Sequence, residues 1–192
     1  MAKACVVLLA EEAADHFKSG NFENAAADYQ QIIDRHPDCL YAWSNLGVAR
    51  FSAGDLAGAR AALERSVELS PADAFSWANL GITYYQLRNY DDAVKALEQA
   101  VALDPADAKS HNYLGCCYSQ DGRQLDAERE FKKAIELNEK FGDAYFNLAL
   151  VLATEKPPDV PGAKENYQRA LVLGISRDPR LERMLGDKPN GN

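Results

Sequence analysis

The chain has 192 residues, 47% of them hydrophobic, and a formal net charge of −8. That length suffices for one domain with a sizeable core or for a short repeat array. The excess of carboxylates argues against nucleic acid, whose affinity rests on neutralising phosphates. No Lys/Arg cluster offers a patch for an anionic membrane, and no stretch approaches the roughly 20 apolar residues that span a bilayer.

The N-terminal stretch MAKACVVLLAEEAADHF could pass for a small signal peptide, but its apolar run is at the lower limit of length and meets Glu11 and Glu12 at once, so it reads as part of the fold. Val6, Leu9, Ala10, Ala13 and Phe17 follow helical spacing, so the stretch is expected to form the first helix of the fold. No polar cover precedes it. Either this helix caps the fold by itself, or the chain is cut from a larger protein.

A period then runs along the chain. Pro37, Pro71 and Pro105 are 34 residues apart, and Ala25, Ala59, Ala93 and Ala127 keep the same step. So do Leu46, Leu80, Leu114 and Leu148, with Gly47, Gly81 and Gly115 beside them, and the bulky series Trp43, Trp77, His111, Tyr145. Within one period, AFSWANLGITYYQL has helical apolar spacing, RNYD reads as a turn, and AVKALEQAVAL is a second amphipathic helix. Asp73 and Asp107 stand where N-caps belong. Small residues such as Gly81 and Ala93 let two helices approach, while Trp77, Tyr84 and Leu97 fill the space between pairs. One pair cannot bury its apolar faces alone, so each leans on its neighbours.

Toward the C-terminus the step from Ala127 to Ala163 lengthens to 36, the extra residues falling in the proline-rich EKPPDVPG. In ISRDPRLERMLG, Asp178 reads as a cap and Pro179 as the first helical residue, with Leu181, Met184 and Leu185 on one side. This predicts a short capping helix over 176–186, followed by a disordered tail at 187–192.

A period of 34 with W-x2-L-G-x2-Y, then A-x3-F, then P is the signature of the tetratricopeptide repeat, and the chain resembles that family over almost its whole length. Five repeats fit, at about 6–39, 40–73, 74–107, 108–141 and 142–175. The third is the cleanest. The first is degenerate, with Glu12 for leucine and Ala13 for glycine, and the fourth has Glu139 in place of the closing proline. The resemblance implies an all-α fold, a right-handed superhelical α-solenoid of antiparallel helix hairpins.

The resemblance also implies a working surface, the concave groove lined by the first helix of each repeat. Carried over position by position, it predicts a peptide-binding groove of Tyr41, Ser44, Asn45, Val48, Phe75, Asn79, Ile82, Tyr85, Lys109, Asn112, Tyr113, Cys116 and Asn147. Nearly all are neutral, which suits a peptide backbone with apolar side chains. Asn45, Asn79 and Asn147 share one position, interrupted by Tyr113. Asparagine costs roughly 0.6 kcal/mol of helix propensity relative to alanine, so its recurrence calls for a reason. A carboxamide both donates and accepts, and can pair with the C=O and N–H of an extended strand. Helices packed about 8–10 Å apart would space such rungs by close to three residues of strand. The row is similar to the asparagine ladder of O-linked N-acetylglucosamine transferase. The other reading is that duplication copied NLG and these asparagines face water.

The family's carboxylate clamp for acidic chaperone tails is not matched. Its positions hold Ser44, Val48, Phe75, Asn79, Lys109 and Tyr113, of which only Lys109 and Asn79 are compatible. Cys5, Cys39, Cys116 and Cys117 lack metal-ligand spacing, and His16, His36 and His111 have no catalytic companions. No phosphate loop, GxSxG or HExxH occurs. The expectation is therefore a non-enzymatic scaffold for a protein or peptide partner, without cofactor or metal, without membrane insertion, in a reducing and cytoplasmic compartment. Two alternatives remain open: a self-assembly module docking through its first helix or through Leu181, Met184 and Leu185, and an accessory domain of a larger enzyme or secretion machine.

Overall fold

In the computed structural model the chain is described over residues 2–186, with side chains from residue 9 onward. The tail expected at 187–192 and the side chains of Cys5 and Val6 lie outside the described residues. Among the described residues the chain is all-helical. The helices are α1 (Ala2–Lys18), α2 (Phe22–Arg35), α3 (Leu40–Ser52), α4 (Leu56–Leu69), α5 (Ala74–Gln86), α6 (Tyr90–Leu103), α7 (Ala108–Gln120), α8 (Gln124–Leu137), α9 (Gly142–Thr154), α10 (Val160–Val172) and α11 (Pro179–Met184). They form two compact units, Met1–Pro105 with α1 to α6 and Ala106–Asn192 with α7 to α11.

Each hairpin is set by the small residue on its first helix. Glycine or alanine there leaves room for a large side chain of the second helix: Gly81 faces Leu97 and Gly115 faces Phe131, whose ring carbon Cε1 would lie 2.7 Å from an added Cβ. The hairpin turns repeat as well. Gly20, Gly54 and Gly122 adopt φ of +80°, +85° and +75°, and the next N–H reaches back 2.9 Å to a carbonyl five residues earlier in each case. This is a Schellman closure, which needs the left-handed conformation at that place. In the third hairpin the residue is Arg88, with φ of 60°.

The starts of the first helices are tied down by the residues the spacing singled out. Asp73 accepts from the N–H of Ser76 at 3.0 Å, and Asp107 from those of Lys109 and Ser110 at 3.1 and 3.2 Å. Trp43 and Trp77 donate their indole N–H to the carbonyls of Pro37 and Pro71 at 2.7 and 2.9 Å, closing each repeat onto the loop before it. In the first unit, Leu9, Ala10, Ala13 and Phe17 of α1 share one core with Tyr29, Ile32, Ala42, Trp43 and Leu46. A second cluster holds Leu63, Val67, Leu80 and Ala96 against Trp77 and Tyr84.

In the second unit, α11 packs against α9. Leu181 and Leu185 are buried and Met184 stays exposed. The Tyr167 hydroxyl takes the N–H of Asp178 at 2.6 Å and donates to the buried Glu182 at 3.3 Å, which also receives Arg177 Nε at 2.7 Å. Of the docking set Leu181, Met184 and Leu185, the two leucines are thus covered within their own unit and Met184 alone is exposed.

Candidate peptide-binding face

In the first unit the candidate residues lie on α3 and α5, two first helices in direct contact. Tyr41 and Phe75, one repeat apart, are each 50% exposed. One helical turn further on, Asn45 and Asn79 are half-buried. Each asparagine donates Nδ2–H to the carbonyl four residues back, Asn45 to Tyr41 and Asn79 to Phe75, both at 2.8 Å. The bond ties each carboxamide to the backbone of its aromatic neighbour. One N–H and the Oδ1 acceptor of each are left over. Asn166 of α10 makes the same bond to Gly162, so the back-bond alone does not mark a site; Asn45 and Asn79 differ in that the residue they bond back to is an exposed aromatic.

The remaining candidates of this unit divide. Val48 and Tyr85 are half-buried, and the Tyr85 ring stands 5.7 Å from that of Tyr90. Ser44 and Ile82, expected to be exposed, are buried at 5% and 4%. Ser44 bonds the Tyr41 carbonyl within its own helix. Both are removed from the groove, because a side chain this covered presents no surface to a ligand. Tyr41 is steadied by Tyr29 of α2, the ring centroids 6.0 Å apart and edge to face.

The second unit is built differently. Asn147 of α9 turns toward α7, donating Nδ2–H to Asn112 Oδ1 at 3.0 Å and to Cys116 Sγ at 3.4 Å. Asn112 is 5% exposed, a correction to its expected place in the groove, since it packs inside as the partner of Asn147. The Asn147 donor is thus directed to a neighbouring helix rather than back along its own. Tyr113 and Cys116 are half-buried; burial, with Cys116 and Asp143 nearby, pushes the Tyr113 phenol above its ordinary range. Lys109 is exposed. Spacing gave no warning of the Asn112–Asn147 bond; two carboxamides on successive first helices were the available signal. His111 takes the tryptophan's place and pairs with Glu130 of α8 at 2.7 Å.

Among the described residues no group of three or more His, Cys, Asp or Glu is disposed to hold a metal ion. No described helix is long and apolar enough to cross a membrane.

Residues 2–144 match the family described as the cilia and flagella-associated protein 70 C-terminal domain, a tetratricopeptide repeat family. The chain belongs to that family. No curated protein matches it at a significant level. Among solved structures it is similar to PilF of Pseudomonas aeruginosa, with 19% identity, a TM-score of 0.82, and coverage of 96% of this chain and 86% of that one. It is similar to MamA from Desulfovibrio magneticus RS-1, with 21% identity, a TM-score of 0.78, and coverage of 90% and 97%. It is also similar to YrrB, described as a TPR protein with an unusual peptide-binding site, with 19% identity, a TM-score of 0.72, and coverage of 90% and 87%. These likenesses establish the tetratricopeptide fold.

Proposed function

We propose that this repeat protein is a non-catalytic interaction scaffold, and that its first unit holds an extended segment of a partner protein along α3 and α5. One observation carries the reading: Asn45 and Asn79, one repeat apart, present matching carboxamides beside Tyr41 and Phe75. The asparagines would exchange hydrogen bonds with the partner's backbone, and the rings would cover its apolar side chains. Backbone pairing gives affinity with little regard to sequence, and the aromatic contacts add preference for apolar residues. YrrB, a peptide-binding protein of the same fold, supports the general function. The described cysteines of this chain, Cys39, Cys116 and Cys117, are thiols, which suits a reducing compartment such as the cytoplasm.

The row is shorter than the spacing of Asn45, Asn79 and Asn147 suggested, since Asn147 is engaged with Asn112 and Cys116. The test is a random-peptide display selection on the purified chain, with selected peptides titrated against wild type and N45A/N79A. Losing one hydrogen bond per asparagine, at about 0.5–1.5 kcal/mol each, already corresponds to roughly five- to 150-fold weaker binding, and more where donor and acceptor both pair. Equal affinity for the double variant removes the reading.

A further inference from the structure

The row on which Asn45 and Asn79 stand has a third member in the first unit. Stepping back 34 residues from Asn45 gives Glu11 of α1. The register is physical as well as numerical. Ala13, which corresponds to Gly47 and Gly81, is fully buried in the core shared by α1, α2 and α3. That fixes the rotation of α1, and with it Glu11 takes the side of the helix that Asn45 and Asn79 take on theirs. Glu11 is exposed, and no hydrogen bond or ion pair engages it among the described residues.

The surroundings reinforce the sign. Up to Pro105 the first unit has eight Lys and Arg against fifteen Asp and Glu, a balance of −7 out of the chain's −8. Yet Tyr41, Asn45, Val48, Phe75 and Asn79 carry no charge. A ligand on this face meets a neutral wall within a negative field, and an exposed carboxylate on α1 at the same row position.

We infer that Glu11 is a specificity-determining residue, and that the partner segment is extended, apolar where it crosses Tyr41 and Phe75, and basic at its α1 end. This rests on the groove reading above and adds the charge and direction of its ligand. A Lys or Arg side chain at that end pairs with Glu11, so the segment binds in one direction only. The field of the unit speeds encounter with such a basic segment and disfavours an acidic one.

The test uses peptides selected by random display on the full chain, titrated by fluorescence anisotropy at low and high salt against wild type, E11Q, E11K and N45A/N79A. Thermal melts establish that each variant is folded, and the near-isosteric E11Q decides the matter if E11K melts early. Selected peptides are expected to carry Lys or Arg at a constant offset from an apolar residue. An exposed pair is worth up to about 1 kcal/mol, so E11Q should bind these peptides up to about fivefold more weakly, and E11K more weakly still. Raising the salt should shrink the difference. A fresh selection on E11K should return Asp or Glu at the same offset. Peptides without a charge preference, or unchanged on E11Q and E11K while weakened on N45A/N79A, overturn the role of Glu11 and leave the groove standing. Peptides indifferent to N45A/N79A, or no selected peptide at all, overturn both.

Discussion

Gly81 of α5 lies so close to Leu97 of α6 that an added Cβ would stand 2.5 Å from Leu97 Cγ and 3.1 Å from its backbone nitrogen. Leu97 is fully buried, and Cγ is a branch point held near its own backbone, so the neighbour can yield only by moving the helix. Two effects oppose each other in Gly81→Ala. Helix propensity favours alanine by about 1 kcal/mol, while overpacking costs about 1–3 kcal/mol. Overpacking wins, and Gly81→Ala is expected to lower unfolding free energy by up to about 2 kcal/mol. The sign should reverse once Leu97 is cut back. Leu97→Ala alone costs about 2–5 kcal/mol, and Gly81→Ala added to it should regain part of that loss. Chemical denaturation of the four proteins of this cycle checks it; alanine destabilising both backgrounds equally would mean the close approach is not the cause.

Arg88 supplies the opposite case, a side chain where glycine belongs. Its φ of 60° matches the left-handed turns at Gly20, Gly54 and Gly122, and it is exposed. A non-glycine residue there costs about 1–2 kcal/mol, offset by roughly 0.5–1 kcal/mol of backbone entropy that glycine loses on folding. Arg88→Gly should therefore raise the unfolding free energy by about 0.5–1 kcal/mol, read as a higher denaturation midpoint with unchanged slope. No change would mean that the turn relaxes around arginine without strain.

How far the chain discloses its structure can be judged on such positions. The period of 34 located the hairpins because each helix pair needs a small residue opposite a large one, and Gly47, Gly81 and Gly115 recur for that reason. Asp73 and Asp107 were legible as caps because a carboxylate before a helix has few other uses. Arg88 was not legible, since RNYD reads as a turn without naming the residue that bears the strain. The candidate face was legible in part. Repeat position tells which way a side chain points, and Tyr41, Asn45, Phe75 and Asn79 came out accessible. It does not tell how closely packing covers that side chain, and Ser44, Ile82 and Asn112 are buried. Nor does it tell that Asn147 meets Asn112 and Cys116, a contact that depends on residues peculiar to the fourth repeat.

His111 and Glu130 test the electrostatics of that fourth repeat. They lie 2.7 Å apart with side chains 10% and 13% exposed. Burial pushes the Glu130 carboxyl up, but the hydrogen bond and charge of His111, then those of Arg129, outweigh it and hold the group below its ordinary range. A carboxylate with a depressed folded-state value contributes stability that is present above its unfolded value, about 4.3, and is lost as pH falls through the folded one. His111→Ala should cost about 1–3 kcal/mol near neutrality, because it leaves a largely buried carboxylate with Arg129 alone. The gap between wild type and variant should narrow as the pH drops below the ordinary glutamate range. Urea denaturation across the acid range measures both, and a gap constant with pH would mean that the cost is packing alone.

Cys117 separates burial from chemistry at the adjacent pair Cys116-Cys117. Its thiol is fully buried, and desolvation, with Cys116 beside it, pushes it up to about 12. Only the thiolate attacks an alkylating agent, and at pH about 8 a group titrating near 12 is ionised in roughly one molecule in ten thousand. Cys39 and Cys116 are half-buried, so reagent can reach them. Iodoacetamide treatment of the folded chain followed by peptide mass spectrometry should mark Cys39 and Cys116 and leave Cys117 unmodified. Unfolding in urea should restore the rate at Cys117 to that of an ordinary cysteine. Cys117 reacting as fast as Cys39 in the native state would mean that α7 opens locally far more often than its packing against α8 allows.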